Sequence, residues 1–167
     1  ARLLGATIMR FAHNNMAHCR MLLEANRAEH HHCLIATETV FSMDGDLAPV
    51  AELKKLAGEF DGWLMTDDAH GLGVLPKQAS PADIQMGTLS KALGSYGGYV
   101  CGSSTLIDYL KTAGRTLIYS TGLPPATVAA SVAAFGIIAR EPKLLAKPLE
   151  QALHFAAATV MAGSMDV

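Results

Sequence analysis

Short apolar runs alternate along this chain with longer stretches in which apolar residues recur every three or four positions, the rhythms of strand and of amphipathic helix. The runs predict strands over residues 6–11, 30–40 (around Cys33-Leu34-Ile35-Ala36-Thr37), 62–66, 83–88, 98–102 and 117–119. A first helix falls over residues 16–25, with Met16, Cys19, Leu22 and Leu23 on one face. Pro49 suits the first turn of a second, whose apolar stripe is Val50, Leu53, Leu56 and Phe60. Ser103 or Ser104 can cap a third over residues 106–113, where Thr105 and Asp108 have capping-box spacing. A long helix fills Pro125–Arg140. Strands that alternate with helices build an α/β fold, a mainly parallel sheet with helices on both faces. Ligands of such sheets sit at the carboxyl ends of the strands. Asp67, Thr88 and Thr121 fall at or just after strand ends.

Composition narrows this picture. A chain of 167 residues makes one domain, and with 50% hydrophobic and 17% charged residues it is globular and well buried. A net charge of −2 with no basic cluster excludes nucleic acid and anionic membranes as partners. Cys19, Cys33 and Cys101 are odd in number and far apart, which fits buried, unreactive thiols in a reducing cytoplasm. Residues 116–139 carry no charge and are long enough to span a bilayer. Thr121-Gly122-Leu123-Pro124-Pro125 breaks them, so a strand, a Pro-Pro turn and a buried Ala-rich helix explain them better. The chain opens at Ala1 and runs into Leu3-Leu4-Gly5-Ala6-Thr7-Ile8-Met9, too short and too polar-flanked for a signal peptide. It stops abruptly after Met165-Asp166-Val167 and reads as a piece of a longer protein, truncated at both ends.

Candidate chemistry gathers in Thr66-Asp67-Asp68-Ala69-His70-Gly71 and in Gly87-Thr88-Leu89-Ser90-Lys91-Ala92-Leu93-Gly94. An acid, an imidazole, a hydroxyl and an amine at strand ends are what pyridoxal phosphate needs: a lysine for the aldehyde and a carboxylate for the pyridinium. A hydroxyl for the phosphate and a donor for the ring phenolate complete such a site. Small and apolar neighbours around Lys91 disfavour its ammonium form, which frees the amine. Taken singly, Asp67-Asp68 also suits a turn, a helix cap or a magnesium site, and His70 a structural role. His30-His31-His32 reads as a solvated loop before a strand rather than a metal site. Gly71-Leu72-Gly73 lacks the third glycine of a dinucleotide fingerprint, and Pro76 would interrupt its helix. No Gly-x-Ser-x-Gly nucleophile elbow occurs.

Four ordered blocks together resemble the α-oxoamine synthases, which are fold-type I pyridoxal phosphate enzymes. They are Ala36-Thr37-Glu38-Thr39-Val40-Phe41-Ser42-Met43-Asp44-Gly45-Asp46, Asp67-Asp68-Ala69-His70-Gly71, Thr88 to Lys91, and Ile118-Tyr119-Ser120-Thr121-Gly122-Leu123-Pro124-Pro125. The Asp-Asp-Ala-His-Gly form, with Arg10-Phe11-Ala12-His13-Asn14-Asn15 upstream, is most similar to members that condense L-alanine with a pimeloyl thioester. The resemblance implies the following roles. Lys91 carries the cofactor as a Schiff base and shuttles the Cα proton. Asp67 rather than Asp68 pairs with the pyridinium, and His70 and Ser42 hydrogen-bond the ring oxygen. Thr88 binds the phosphate, and Glu38 helps position substrate. Ser120 or Thr121 reaches the phosphate of a neighbouring subunit, which implies a homodimer with shared sites and no metal.

Relatives also carry an upstream histidine that stacks on the ring, a glycine-rich region, and a C-terminal small domain whose arginine grips the substrate carboxylate. None lies in this sequence. It is therefore expected to be most of the large, cofactor-binding domain (residues 1–167), without the N-terminal region or the small domain, and not to turn over substrate alone. Two alternatives stay open: a sister synthase using glycine or serine with another acyl-CoA, and a non-catalytic partner subunit.

Overall fold

The chain's structure, a computed structural model, describes residues 5–75 and 81–163. Leu3-Leu4, Pro76 and Met165-Asp166-Val167, which entered the sequence reading, lie outside them. The strands are β1 (Leu34–Glu38), β2 (Trp63–Asp67), β3 (Ile84–Thr88) and β4 (Gly98–Cys101), in one sheet of order β1-β2-β3-β4. β1, β2 and β3 run parallel, and β4 closes the edge antiparallel. The register sets Glu38 opposite Asp67 and Asp67 opposite Met86, so three strands end at one edge of the sheet.

The helices are α1 (Met16–Asn26), α2 (Val50–Glu59), α3 (Ser104–Ala113), α4 (Arg115–Ile118), α5 (Pro125–Arg140) and α6 (Pro142–Gly163). The Asn15 side chain accepts from the His18 amide at 2.9 Å and caps α1, while Ser103 accepts from the Leu106 amide and caps α3. Cys19 and Leu23 of α1 and Leu53, Leu56 and Ala57 of α2 pack on Ile35 and Leu64 to form the core. The predicted apolar stripes are thus the buried ones. Arg20 pairs with Glu59 across the two helices. At the other end of β2, Asp83 accepts from the Leu64 amide at 2.8 Å and pairs with Lys54.

Four expectations need correction. Residues 6–11 form no strand: they lie across a cleft from Leu34 and Trp63, without the ladder that would make them one. Leu117, Ile118 and Tyr119 are not a strand either. Instead, the Leu117 and Ile118 amides both turn back to the Gly114 carbonyl, giving α4. The Ala-rich helix α5 forms within its expected bounds but is not buried: Val128, Val132, Phe135 and Ile137 are exposed, and Ser131 is its one buried residue. Cys101 is exposed on the edge strand and Cys33 half-buried, so only Cys19 is a buried thiol. Helix α6 was not anticipated, because Pro148 in its interior reads as a break. Helical cover lies on the α1–α2 face, where α2 packs on β1 and β2. On the other, α3 shares a cleft with Trp63 and Ile84, while Leu34 and Val100 remain exposed.

Candidate active site

Parallel pairing brings the carboxyl ends of β1, β2 and β3 together, and each carries a polar residue there: Glu38, Asp67 and Thr88. Beyond β2 the chain turns at once. The Ala69 amide donates to Asp67 Oδ1 at 2.9 Å, and the Gly71 and Leu72 amides return to the Asp68 carbonyl at 3.1 and 2.9 Å. That turn carries His70 over the end of the sheet. Gly71 is fixed by its neighbour, since a Cβ there would stand 2.5 Å from Thr39 Oγ1.

The turn after β3 does the same for Lys91. Thr88 Oγ1 lies 2.6 Å from Ser90 Oγ, accepts from the Ser90 amide at 3.2 Å and donates to the Gly97 carbonyl at 3.2 Å. The two turns meet where Lys91 Nζ stands 2.7 Å from His70 Nε2. Among the described residues neither Lys91 nor Asp67 is engaged in an ion pair. Helix α5 braces the second turn: Ser131 donates to Ser95 at 2.8 Å, and Ser95 to the Thr127 carbonyl at 3.1 Å.

Alternation along β2 separates the two aspartates. Asp67 shares the open face with Trp63 and Met65, whereas Asp68 follows Leu64 and Thr66 towards the covered face. Burial pushes the Asp68 carboxyl above the usual carboxylate range, and the charge of Asp67 adds to this, while the neighbouring Thr39 and Thr66 hydroxyls pull the other way. Tyr99, opposite Gly87 in the ladder, lies across that glycine, where a Cβ would stand 2.7 Å from its hydroxyl. Burial, then the charge of Asp68, raises the Tyr99 phenol to about 12. Sequence reasoning missed Tyr99. Its only signal is a glycine paired across a ladder it could not see.

The remaining site residues divide. The Ser42 amide donates to Glu38 Oε2 at 3.1 Å, which ties the loop after β1 to the same edge. Ser120 donates to the Leu117 carbonyl at 3.1 Å, and no hydrogen bond brings it or Thr121 to the Lys91–His70 pair. His32 stacks on Trp63 with centroids 6.2 Å apart, and the metal-spaced group among the described residues is instead His13, Asp44 and Asp46, all exposed. Gly71-Leu72-Gly73 is turn, and no helix starts there. No described helix is long and apolar enough to cross a membrane.

The donor set fits pyridoxal phosphate: a primary amine, a carboxylate held by a backbone amide, an imidazole and a hydroxyl at neighbouring strand ends. Comparison with known proteins agrees. Residues 1–152 match the family Aminotransferase class I and II. An 8-amino-7-oxononanoate synthase of Methylocella silvestris is 52% identical over 165 residues, covering 94% of this chain and 47% of its own length. The chain therefore spans less than half of that relative. Among solved structures, the serine palmitoyltransferase of S. paucimobilis with a bound PLP–myriocin aldimine superposes with a TM-score of 0.73 at 26% identity, covering 80% of this chain and 37% of that one. The 8-amino-7-oxononanoate synthase of Francisella tularensis gives 0.64 at 27% identity, with 81% and 41% covered.

Proposed function

The chain belongs to the class I and II aminotransferase family, and on that footing we propose that it is most of the cofactor-binding large domain of a cytoplasmic 8-amino-7-oxononanoate synthase. Such an enzyme joins L-alanine to a pimeloyl thioester, on CoA or a carrier protein, with loss of carbon dioxide, as a step of biotin biosynthesis. The observation that carries the reading is the 2.7 Å approach of Lys91 to His70 beside an Asp67 that no cation claims. Identity of 52% to a synthase of that name supports the choice of member.

Bound at this edge, pyridoxal 5'-phosphate supplies an electron sink for the electron pair left at Cα. The residues of the chain hold it and move the protons. Lys91 would present the amine that holds the aldehyde carbon and would accept the Cα proton of the substrate on Nζ. Asp67 places a negative charge against the pyridine nitrogen and keeps it protonated, which draws electron density from Cα. His70 and Ser42 donate to the ring oxygen. Thr88 donates to the phosphate, and Ser120 or Thr121 does so for the cofactor of a second subunit in a homodimer with shared sites. Glu38, at the end of β1, orients the substrate.

The higher superposition score of a serine palmitoyltransferase favours a second reading, a sister synthase that takes serine or glycine with a longer or shorter acyl-CoA. Assay of the full-length protein with alanine, glycine and serine, each against pimeloyl and palmitoyl thioesters, separates them. Preference for alanine with the pimeloyl donor is expected. Preference for serine with palmitoyl-CoA transfers the chain to the sister activity.

A further inference from the structure

We propose that His13, Asn14 and Asp46 form a clasp that positions the loop after β1, and through it Ser42, for the cofactor's ring oxygen. The inference rests on the reading that Ser42 serves that oxygen.

Two residues, His13 and Asn14, converge on this loop from the chain just before α1. His13 Nε2 lies 2.7 Å from Asp46 Oδ2, and Asn14 Nδ2 donates to the same oxygen at 2.9 Å and to the Leu47 carbonyl at 3.1 Å. The His13 ring also meets Phe41 edge-on, with centroids 4.3 Å apart and planes at 64°. Within the loop, the Phe41 amide donates to the Asp46 carbonyl at 3.0 Å and the Gly45 amide to the Phe41 carbonyl at 2.8 Å. A lone bridge, Val40 to Leu47, closes its base. The loop is thus a small closed unit, and its side-chain anchors among the described residues are the clasp at one end and Glu38, which takes the Ser42 amide, at the other.

Asn14 makes those bonds at φ 51°, a left-handed conformation that Asn adopts more readily than most residues with a side chain. Directly after Asn14 comes the cap of α1, and α1 is held in the core by Cys19 and Leu23. The clasp therefore ties an exposed loop, a mobile type of element, to a helix packed in the core. Ser42 then has a fixed place relative to Glu38 and to the strand ends.

The test uses the full-length protein and the variants Asn14→Gly, which keeps the backbone conformation but loses the amide, Asp46→Asn, and Ser42→Ala as reference. Two quantities are read: amide hydrogen exchange at Phe41 and Gly45 in the cofactor-free protein, and the pH midpoint of the visible absorbance change of the bound cofactor. Ser42→Ala should move that midpoint up by about one pH unit, since a lost donor leaves the ring oxygen more basic. Asn14→Gly and Asp46→Asn should move it the same way by about half a unit, and speed exchange about tenfold. A midpoint that stays at the wild-type value in both clasp variants while Ser42→Ala shifts it overturns the clasp. A midpoint unmoved by Ser42→Ala overturns the role of Ser42 itself, and the positioning role falls with it.

Discussion

The two faces of the sheet are made by alternate residues of the same strands, yet they have different fates. On one, Ile35 and Leu64 disappear beneath α1 and α2. On the other, their sequence neighbours Leu34 and Trp63 stay exposed, and so does Val100, opposite Met86 on the edge strand. Helices with a single apolar stripe, α1 and α2, found a sheet face to cover. Helix α5, apolar on nearly every side, lies against the strand-end turns through Ser131 and leaves Val132 and Phe135 exposed. The same alternation divides the aspartate pair. The open face receives Asp67, held by the Ala69 amide, and the covered face receives Asp68, whose charge burial disfavours.

The sharpest way to break this comparison is to exchange each aspartate for its neutral isostere. Asp67→Asn should remove about 3 kcal/mol or more of transition-state stabilisation, because an amide cannot favour a protonated pyridine. Asp68→Asn should cost less than about tenfold in rate. Steady-state kcat/KM of the full-length enzyme decides it, and equal losses or the reverse order would show that the faces were assigned the wrong way round.

A smaller effect tests the faces without any chemistry. Leu64 is 0% exposed and its neighbour Trp63 54%. Leu64→Ala should destabilise by about 3 kcal/mol through lost burial and the cavity left. Trp63→Ala, although it deletes more atoms, should cost under about 1 kcal/mol. Urea unfolding midpoints of the cofactor-free protein measure both, and a Trp63 cost as large as that of Leu64 would mean that the second face is covered.

What could be read from sequence follows from how local each signal is. The stripes of α1 and α2, the Ser103 cap and the strand ends at Asp67 and Thr88 are local patterns, and they stand where expected, whereas the strand end expected before Thr121 is a helical turn. Residues 6–11 and 117–119 look as strand-like as β3 does, but a strand also needs an edge to pair with, which no window of sequence contains. Lys91 and His70 were each visible in their motifs, and their 2.7 Å approach depends on two turns 21 residues apart. His13 and Asp46 both sat inside quoted blocks, yet their pairing spans 33 residues and was invisible. Ser120 and Thr121 were placed by resemblance alone, and within this chain Ser120 bonds to its own helix end.

The subtlest consequence of the divided faces lies in pH. Burial raises the Asp68 carboxyl above its ordinary range, followed by the repulsion of Asp67. A carboxyl raised in the fold binds its proton more tightly there than in the unfolded chain, so ΔG of unfolding falls as pH rises from the unfolded pKa of about 3.9 through the folded value. At neutral pH the fold bears the cost of an ionised, partly desolvated Asp68; below the unfolded pKa that cost is gone. Asp68→Asn mimics the neutral form at every pH. It should therefore raise the melting midpoint of the cofactor-free protein at pH 7 and leave it near the wild-type value at pH 3.5. Asp83 supplies the opposite sign for comparison: burial lifts it, but the Leu64 amide and Lys54 outweigh this and hold it below the ordinary value. Its contribution is present at neutral pH and lost on acidification, so Asp83→Asn should lower the midpoint at pH 7. Thermal scans of both variants at the two pH values read the signs directly, and a destabilised Asp68→Asn at pH 7 would place that carboxylate among favourable partners instead of in a desolvated row beneath the site.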